Sequence, residues 1–204
     1  MNAETQESPK STELELWLIR HGETEWSASG KHTSRSEVPL TARGRQSAQA
    51  IGQYLATQQF SMVLTSPRRR AQETCGIAGY SAPALVDANL AEWDYGDYEG
   101  RTTEEIRSRE AGWTIWSASI SGGESIEQVA ERAQGIIQRA ERAGGKVALF
   151  SHAHFLRILA AVWIGLTGRA GRLFVLGTGS VSVLGLERET RVIQEWNRSF
   201  EGVV

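Results

Sequence analysis

Leu14-Glu15-Leu16-Trp17-Leu18-Ile19-Arg20-His21-Gly22-Glu23-Thr24 is the stretch from which the rest of the chain is read. Apolar residues run almost unbroken from Leu14 to Ile19, the pattern of a strand buried on both faces. The run ends abruptly in Arg20, His21 and Gly22, with Trp26 and Ser27 close behind. Such a strand fixes two side chains at its end, and a glycine lets backbone approach a ligand, so the arrangement builds an anion site. On this reading His21 is a nucleophile that carries a phosphoryl group. The remaining sequence must then supply more positive charge, a second imidazole and a proton donor.

The bulk composition narrows the alternatives. At 204 residues, 40% hydrophobic and 23% charged, the chain fits one ordinary globular domain with a sizeable core. A net charge of −2, from 22 basic and 24 acidic residues, gives no reason to expect nucleic acid or a membrane surface as partner. The single cysteine, Cys75, excludes an internal disulfide framework and suits a reducing compartment, so the cytoplasm is expected. No segment reaches the length of apolar sequence that spans a bilayer. Residues 1–13 are polar, lack the apolar core of a secretory signal and read as a mobile tail, leaving 14–204 as one domain.

Further strands are expected at Met62 to Thr65, Ala84 to Val86 and Val147 to Phe150. A helix opens after Thr41, its N-cap, with Ala48, Ile51, Tyr54 and Leu55 at helical spacing. Ser66-Pro67 starts a second helix, with proline at its tolerated first position. Residues 22–40 and 89–101 read as loops, and the acidic run after Thr102 as a helix start. Gly122-Gly123 breaks the chain before a helix over about 125–143, and another follows Ser151-His152 through Ile164. Residues 180–184 and 191–193 read as an antiparallel hairpin. This alternation predicts a three-layer α/β/α sandwich, mostly parallel, with an antiparallel edge strand.

Two of the predicted strands end alike, in Arg20-His21 and in Ser151-His152. Ligands of parallel sheets sit outside the carboxyl ends of the strands, so neighbouring strands would turn both imidazoles toward one pocket. His32 and His154 lack such a placement and read as incidental. Ser66 to Thr74 adds a helix N-terminus, which favours anions, and an arginine cluster of which Arg68 and Arg69 read as a solvated basic face. In Leu90 to Gly100, carboxylates stand beside Trp93, Tyr95 and Tyr98, where partial desolvation would suit a general acid.

Four blocks together resemble the histidine phosphatase superfamily, branch 1, the phosphoglycerate mutase-like group. They are Leu18 to Trp26, Thr65-Ser66-Pro67 with Arg70-Ala71 and Thr74, Leu90 to Gly100, and Ser151-His152-Ala153-His154. Within that group the chain looks closest to small bacterial acid phosphatases and sedoheptulose-bisphosphatase-like members, through Glu25-Trp26-Ser27 and Leu90 to Gly96. The resemblance implies that His21 forms a phosphohistidine, that Arg20, Arg70 and a protonated His152 complete the phosphate pocket, and that Glu92 is the proton donor. It also places Ser27, Thr33 and Tyr95 on substrate-contact positions, and it implies no cofactor. Ala153 and Ser34 stand where the family often has glycine, and Ala153 requires a negative φ. Asp97 and Glu99 are candidates for raising the pKa of Glu92.

The expected activity is metal-independent hydrolysis of small phosphorylated metabolites by a monomer or homodimer. Cofactor-dependent mutases of the group carry a long insertion between the acid and the second histidine; here the span from Glu92 to His152 is short, which favours water as acceptor. Arg101, Arg107 and Arg109, in the expected pocket roof, are candidates for binding an acidic substrate, while Arg157 reads as a surface residue and Trp113 and Trp116 as roof packing. A non-catalytic phospholigand-binding protein is the remaining alternative, disfavoured by the presence of both His21 and Glu92. A metal site at His152 and His154 lacks suitably spaced partners.

Overall fold

The computed structural model describes residues 14–200, so the expected tail at 1–13 lies outside the described residues. Its centre is β1 (Glu15–Arg20), hydrogen-bonded on one side to β4 (Lys146–Ser151) in parallel and on the other to β5 (Ser180–Glu187) antiparallel. With β2 (Met62–Thr65), β3 (Ala84–Val86) and β6 (Thr190–Ser199), the strand order is β3-β2-β4-β1-β5-β6. Four strands are parallel, and the antiparallel edge is a hairpin of two strands. Both hairpin strands run past the segments expected from sequence.

The unbroken apolar character of β1 has its cause in layers on both sides. Leu16 and Leu18 join Val147 and Leu149 in a core under α5 (Ile126–Ala143) and α6 (Ala153–Trp163). Trp17 and Ile19 point the other way, with Ala148 and Phe150, against Ile51 and Leu55 of α2 (Ala42–Leu55) and Cys75 of α3 (Arg69–Ile77). Each such side chain, fully buried, contributes roughly 1.5–3 kcal/mol of apolar transfer.

Helix starts follow the capping rules. Thr41 Oγ1 accepts from Gly44 N at the head of α2, and Ser125 and Gln128 form a reciprocal capping box on α5. The helix after Ser66-Pro67 begins two residues later than expected, with Arg68 as its N-cap. The loop expected over 22–40 contains one helical turn, α1 (Glu25–Ala28), capped by Thr24 and Ser27. The roof between Glu92 and α5 holds a 3-10 turn over Gly96–Tyr98 and one short α-helix, α4 (Thr103–Arg107). No helix among the described residues is long and apolar enough to cross a membrane.

Candidate active site

The two strands that end in histidine are neighbours. Arg20 pairs with Ser151 in register, His21 N donates to the Ser151 carbonyl at 3.0 Å, and the rings of His21 and His152 lie 5.2 Å apart. His21 Nδ1 is 2.7 Å from the carbonyl of Gly22. A carbonyl only accepts, so this contact assigns the proton to Nδ1 and leaves a lone pair on Nε2. Burial, then Arg70 and Arg20, hold the His21 pKa well below the ordinary value of 6.5. The ring is therefore neutral and basic at Nε2.

Gly22 has a different reason from the one expected. A Cβ there would meet the Gly44 carbonyl oxygen at 2.3 Å, and one on Gly44 would meet the Glu23 carbonyl oxygen at 2.2 Å. The pair of glycines lets the turn after β1 lie directly on the first turn of α2. Gly22 N donates to Thr74 Oγ1 at 3.0 Å, which ties the same turn to α3.

Arg70 is one of the largest fully buried side chains. Its Nη1 donates to the Ser36 carbonyl and its Nη2 to that of Thr33, both at 3.0 Å, while Nε lies 3.3 Å from His21 Nε2. Arg20, at the end of β1, donates through Nη1 to the Leu176 carbonyl, and its Nε is buried without a partner. Burial lowers its pKa to about 10, opposed by nearby Glu92. His152 Nε2 contacts Ser66 Oγ at 2.7 Å, and its Nδ1 is buried without a partner. Against the expectation of a protonated His152, burial, followed by Arg70, His21 and Arg20, pushes its pKa well down.

Glu92 is held by backbone alone. Oε1 accepts from Trp93 N and Phe155 N, each at 2.9 Å, and Oε2 from His154 N at 3.1 Å. Two of those amides belong to the first turn of α6, so the carboxyl group is fixed at the head of that helix. Glu99 serves elsewhere than expected: it accepts from Ser34 N, Ser34 Oγ and Ser36 N, and so braces the loop whose carbonyls hold Arg70.

Arg20, His21 and Glu92 share a cavity of about 170 Å³ with Ser27, Gly30, Lys31, His32, Thr33, Tyr95, Ala153 and His154. Ser27, Thr33, Tyr95 and Ala153 thus line it, and Ala153, the first residue of α6, is not among the residues with positive φ. Arg70 and His152 stand behind its wall, against His21. Arg101 lies outside, with Arg109 and Glu105 around a separate surface cavity. Arg107 donates to the Trp113 carbonyl at 2.8 Å. Arg68 and Arg69 are ion-paired, to Glu37 and Glu73.

The two histidines read as incidental both line the cavity. His154 Nδ1 is 2.6 Å from the Tyr95 hydroxyl, and its ring is enclosed by Trp93, Tyr95 and Trp116. His32 packs on Tyr95 at 4.9 Å and Trp113 at 5.4 Å. The only signal for His154 was its place two residues beyond His152, in the first turn of α6. Arg157 is half-buried rather than superficial, its guanidinium 4.7 Å from the Trp116 ring. No group of three or more His, Cys, Asp or Glu side chains able to hold a metal ion occurs among the described residues.

The description of the histidine phosphatase superfamily, branch 1, matches residues 16–199, nearly all of the chain. The chain belongs to that family. Within it, an acid phosphatase of Mycobacterium tuberculosis is 41% identical over 180 residues, which cover 86% of this chain and 88% of that protein. A probable phosphoglycerate mutase of Klebsiella pneumoniae, GpmB, is 28% identical over 193 residues, 90% of each chain. A solved structure from Mycobacterium tuberculosis superposes with a TM-score of 0.86 at 38% identity, covering 91% of this chain and 97% of the other.

Proposed function

We propose that the chain is a metal-independent phosphomonoesterase acting on small phosphorylated metabolites through a phosphohistidine at His21. The observation that carries this reading is the neutral His21 ring, with Nδ1 fixed on the Gly22 carbonyl and the Nε2 lone pair facing Arg70 Nε at 3.3 Å. The acid phosphatase relative supports hydrolysis as the outcome. In the first step the Nε2 lone pair forms a bond to phosphorus while the P–O bond to the alcohol breaks. Arg70 Nε turns from Nε2 to a phosphoryl oxygen, and the orphaned Arg20 Nε and His152 Nδ1 gain acceptors, so that developing charge meets donors already in place.

Ser66 orients His152 for this role. In the tautomer that serves this role the Ser66 hydroxyl donates to His152 Nε2 while its oxygen accepts from Arg68 N, and the imidazole proton resides on Nδ1. The approaching phosphate dianion opposes the effect of the surrounding cations and favours a second proton on the ring. Glu92, in the same cavity, enters as the carboxylic acid, gives its proton to the departing alkoxide, and as carboxylate takes one from the water that attacks the phosphohistidine. Inorganic phosphate leaves and His21 is again neutral.

The short roof, a 3-10 turn, one short α-helix and loops between Glu92 and α5, leaves water as the acceptor in place of a second substrate molecule. We place this chemistry in the cytoplasm, on the strength of the single buried cysteine, in a one-domain monomer or homodimer with no nucleic acid or membrane partner. The test is hydrolysis of p-nitrophenyl phosphate in the presence of a chelator by the native protein and by His21→Ala. Turnover that survives the chelator and vanishes in the variant is expected; loss of native activity to the chelator would refute the metal-independent mechanism.

A further inference from the structure

Building on the phosphomonoesterase reading, we infer that the cavity accepts only an uncharged leaving group next to the reacting phosphate. The substrates are then monoesters of small polyols or aryl alcohols, and esters bearing a carboxylate or second phosphate close to the scissile oxygen are discriminated against. The roof was expected to offer arginines to an acidic substrate, and the structure spends them elsewhere. Arg107 donates to the Trp113 carbonyl, Arg101 and Arg109 face another cavity, and Arg157 lies on Trp116 with its Nε donating to the Gly171 carbonyl at 3.0 Å.

What remains of the wall away from Arg20 and His21 is Thr33, His32, Tyr95 and His154, together with Lys31. The two imidazoles are kept neutral by burial, and His154 is further disfavoured as a cation by Arg157 and His32. His154 Nδ1 is occupied by the Tyr95 hydroxyl, while His32 Nε2 stands 3.3 Å from Thr103 Oγ1. These groups offer flat faces and single neutral hydrogen bonds, which suit hydroxyls and rings. Among the described residues Lys31 is the one cation of this wall, and its ammonium is drawn over the Trp26 ring, 5.5 Å from the centroid.

An anion placed here would stand among neutral groups, with Glu92 protonated for its role, and would find a counter-charge only by drawing Lys31 off the Trp26 ring. An anion left without a close counter-charge there costs at least about 1–3 kcal/mol of desolvation. A distal phosphate on a long sugar extends beyond a cavity of about 170 Å³ into solvent and escapes this penalty.

The test uses the native protein and two esters with the same three-carbon skeleton, glycerol 3-phosphate and 3-phosphoglycerate, at physiological ionic strength so that long-range attraction is screened. The ratio of kcat/KM is expected to favour glycerol 3-phosphate by at least about tenfold, a conservative floor for leaving one carboxylate imperfectly paired. Any smaller ratio, or a preference for 3-phosphoglycerate, overturns this inference alone. Absence of turnover of both esters and of p-nitrophenyl phosphate overturns the phosphomonoesterase reading, and this inference with it.

Discussion

Gly22→Ala is predicted to damage catalysis more than its size suggests, without touching any ligand. A Cβ at Gly22 would stand 2.3 Å from the Gly44 carbonyl oxygen and 2.9 Å from Gly44 Cα, both backbone atoms of α2. Restoring even 3.0 Å requires the two segments to part by about 0.7 Å. The reciprocal contact, Gly44 against Glu23 at 2.2 Å, leaves no room on the other side of the joint. Overpacking of this kind costs roughly 1–3 kcal/mol of stability.

The catalytic effect follows from which residue precedes the joint. His21 is held by its own Nδ1 contact to the Gly22 carbonyl and by its amide on Ser151, so a shifted turn re-aims the imidazole. Misplacement by about 1 Å costs on the order of 10²-fold in rate. Urea denaturation and kcat for p-nitrophenyl phosphate, measured on the same preparation, read both effects. Gly79→Ala is the control: it lies outside the cavity, its φ of +93° strains an alanine, and nothing lies within 4 Å of the added methyl. It should lose stability without a comparable loss of kcat. If Gly22→Ala retains kcat within twofold of the native protein, the glycine pair does not set the aim of His21.

Three further outcomes are expected. Because His21 is held below 6.5 by burial and two arginines, the acid limb of kcat/KM due to its protonation should lie well below pH 6.5 in a pH–rate profile; a limb centred at 6.5 would contradict the assigned environment. His154, also depressed, binds its proton in the unfolded chain first, so its contribution to stability is present above pH 6.5 and falls by about 1.4 kcal/mol per unit as the pH drops below it. His154→Gln should make that decline in urea-derived stability shallower, and an unchanged slope would count against a buried neutral imidazole. Glu92→Gln sets an amide against one of three backbone donors, costing about 1–3 kcal/mol of stability. It should also lower kcat by about 10²–10⁴-fold on alkyl phosphates and by far less on p-nitrophenyl phosphate, whose leaving group needs no proton; equal losses on both would remove Glu92 from the acid role.

The parts of this site that sequence revealed are those set by strand periodicity. Leu14 to Arg20 and Val147 to Ser151 each declared a doubly buried strand with a histidine beyond its end, and parallel pairing in register then brought the two rings together. Glu92 and Arg70 stood out only through resemblance, because their placement depends on partners 62 and 63 residues away in one case and 34 to 49 in the other. His154 and His32 were passed over for a related reason. The helix after His152 was expected, but no local pattern shows that its first turn sets His154 among Trp93, Tyr95 and Trp116, or that His32 packs on Tyr95 and Trp113. The expected proton on His152 belongs to the step in which phosphate is present; counting the nearby cations only as phosphate ligands omits that they first lower the pKa of the imidazole. Gly22 shows the same blindness: glycine announces close approach, and only the fold says that the approaching group is Gly44.

The central claim, a covalent phosphoryl group on His21 Nε2, is tested most directly by rapid quench of the native protein with a phosphate ester, followed by peptide mapping under alkaline conditions that preserve phosphohistidine. The account predicts a phosphorylated peptide containing His21, formed and consumed within one turnover and absent from His21→Ala. Phosphate recovered on another residue, or turnover with no phosphorylated enzyme at any time, would contradict it.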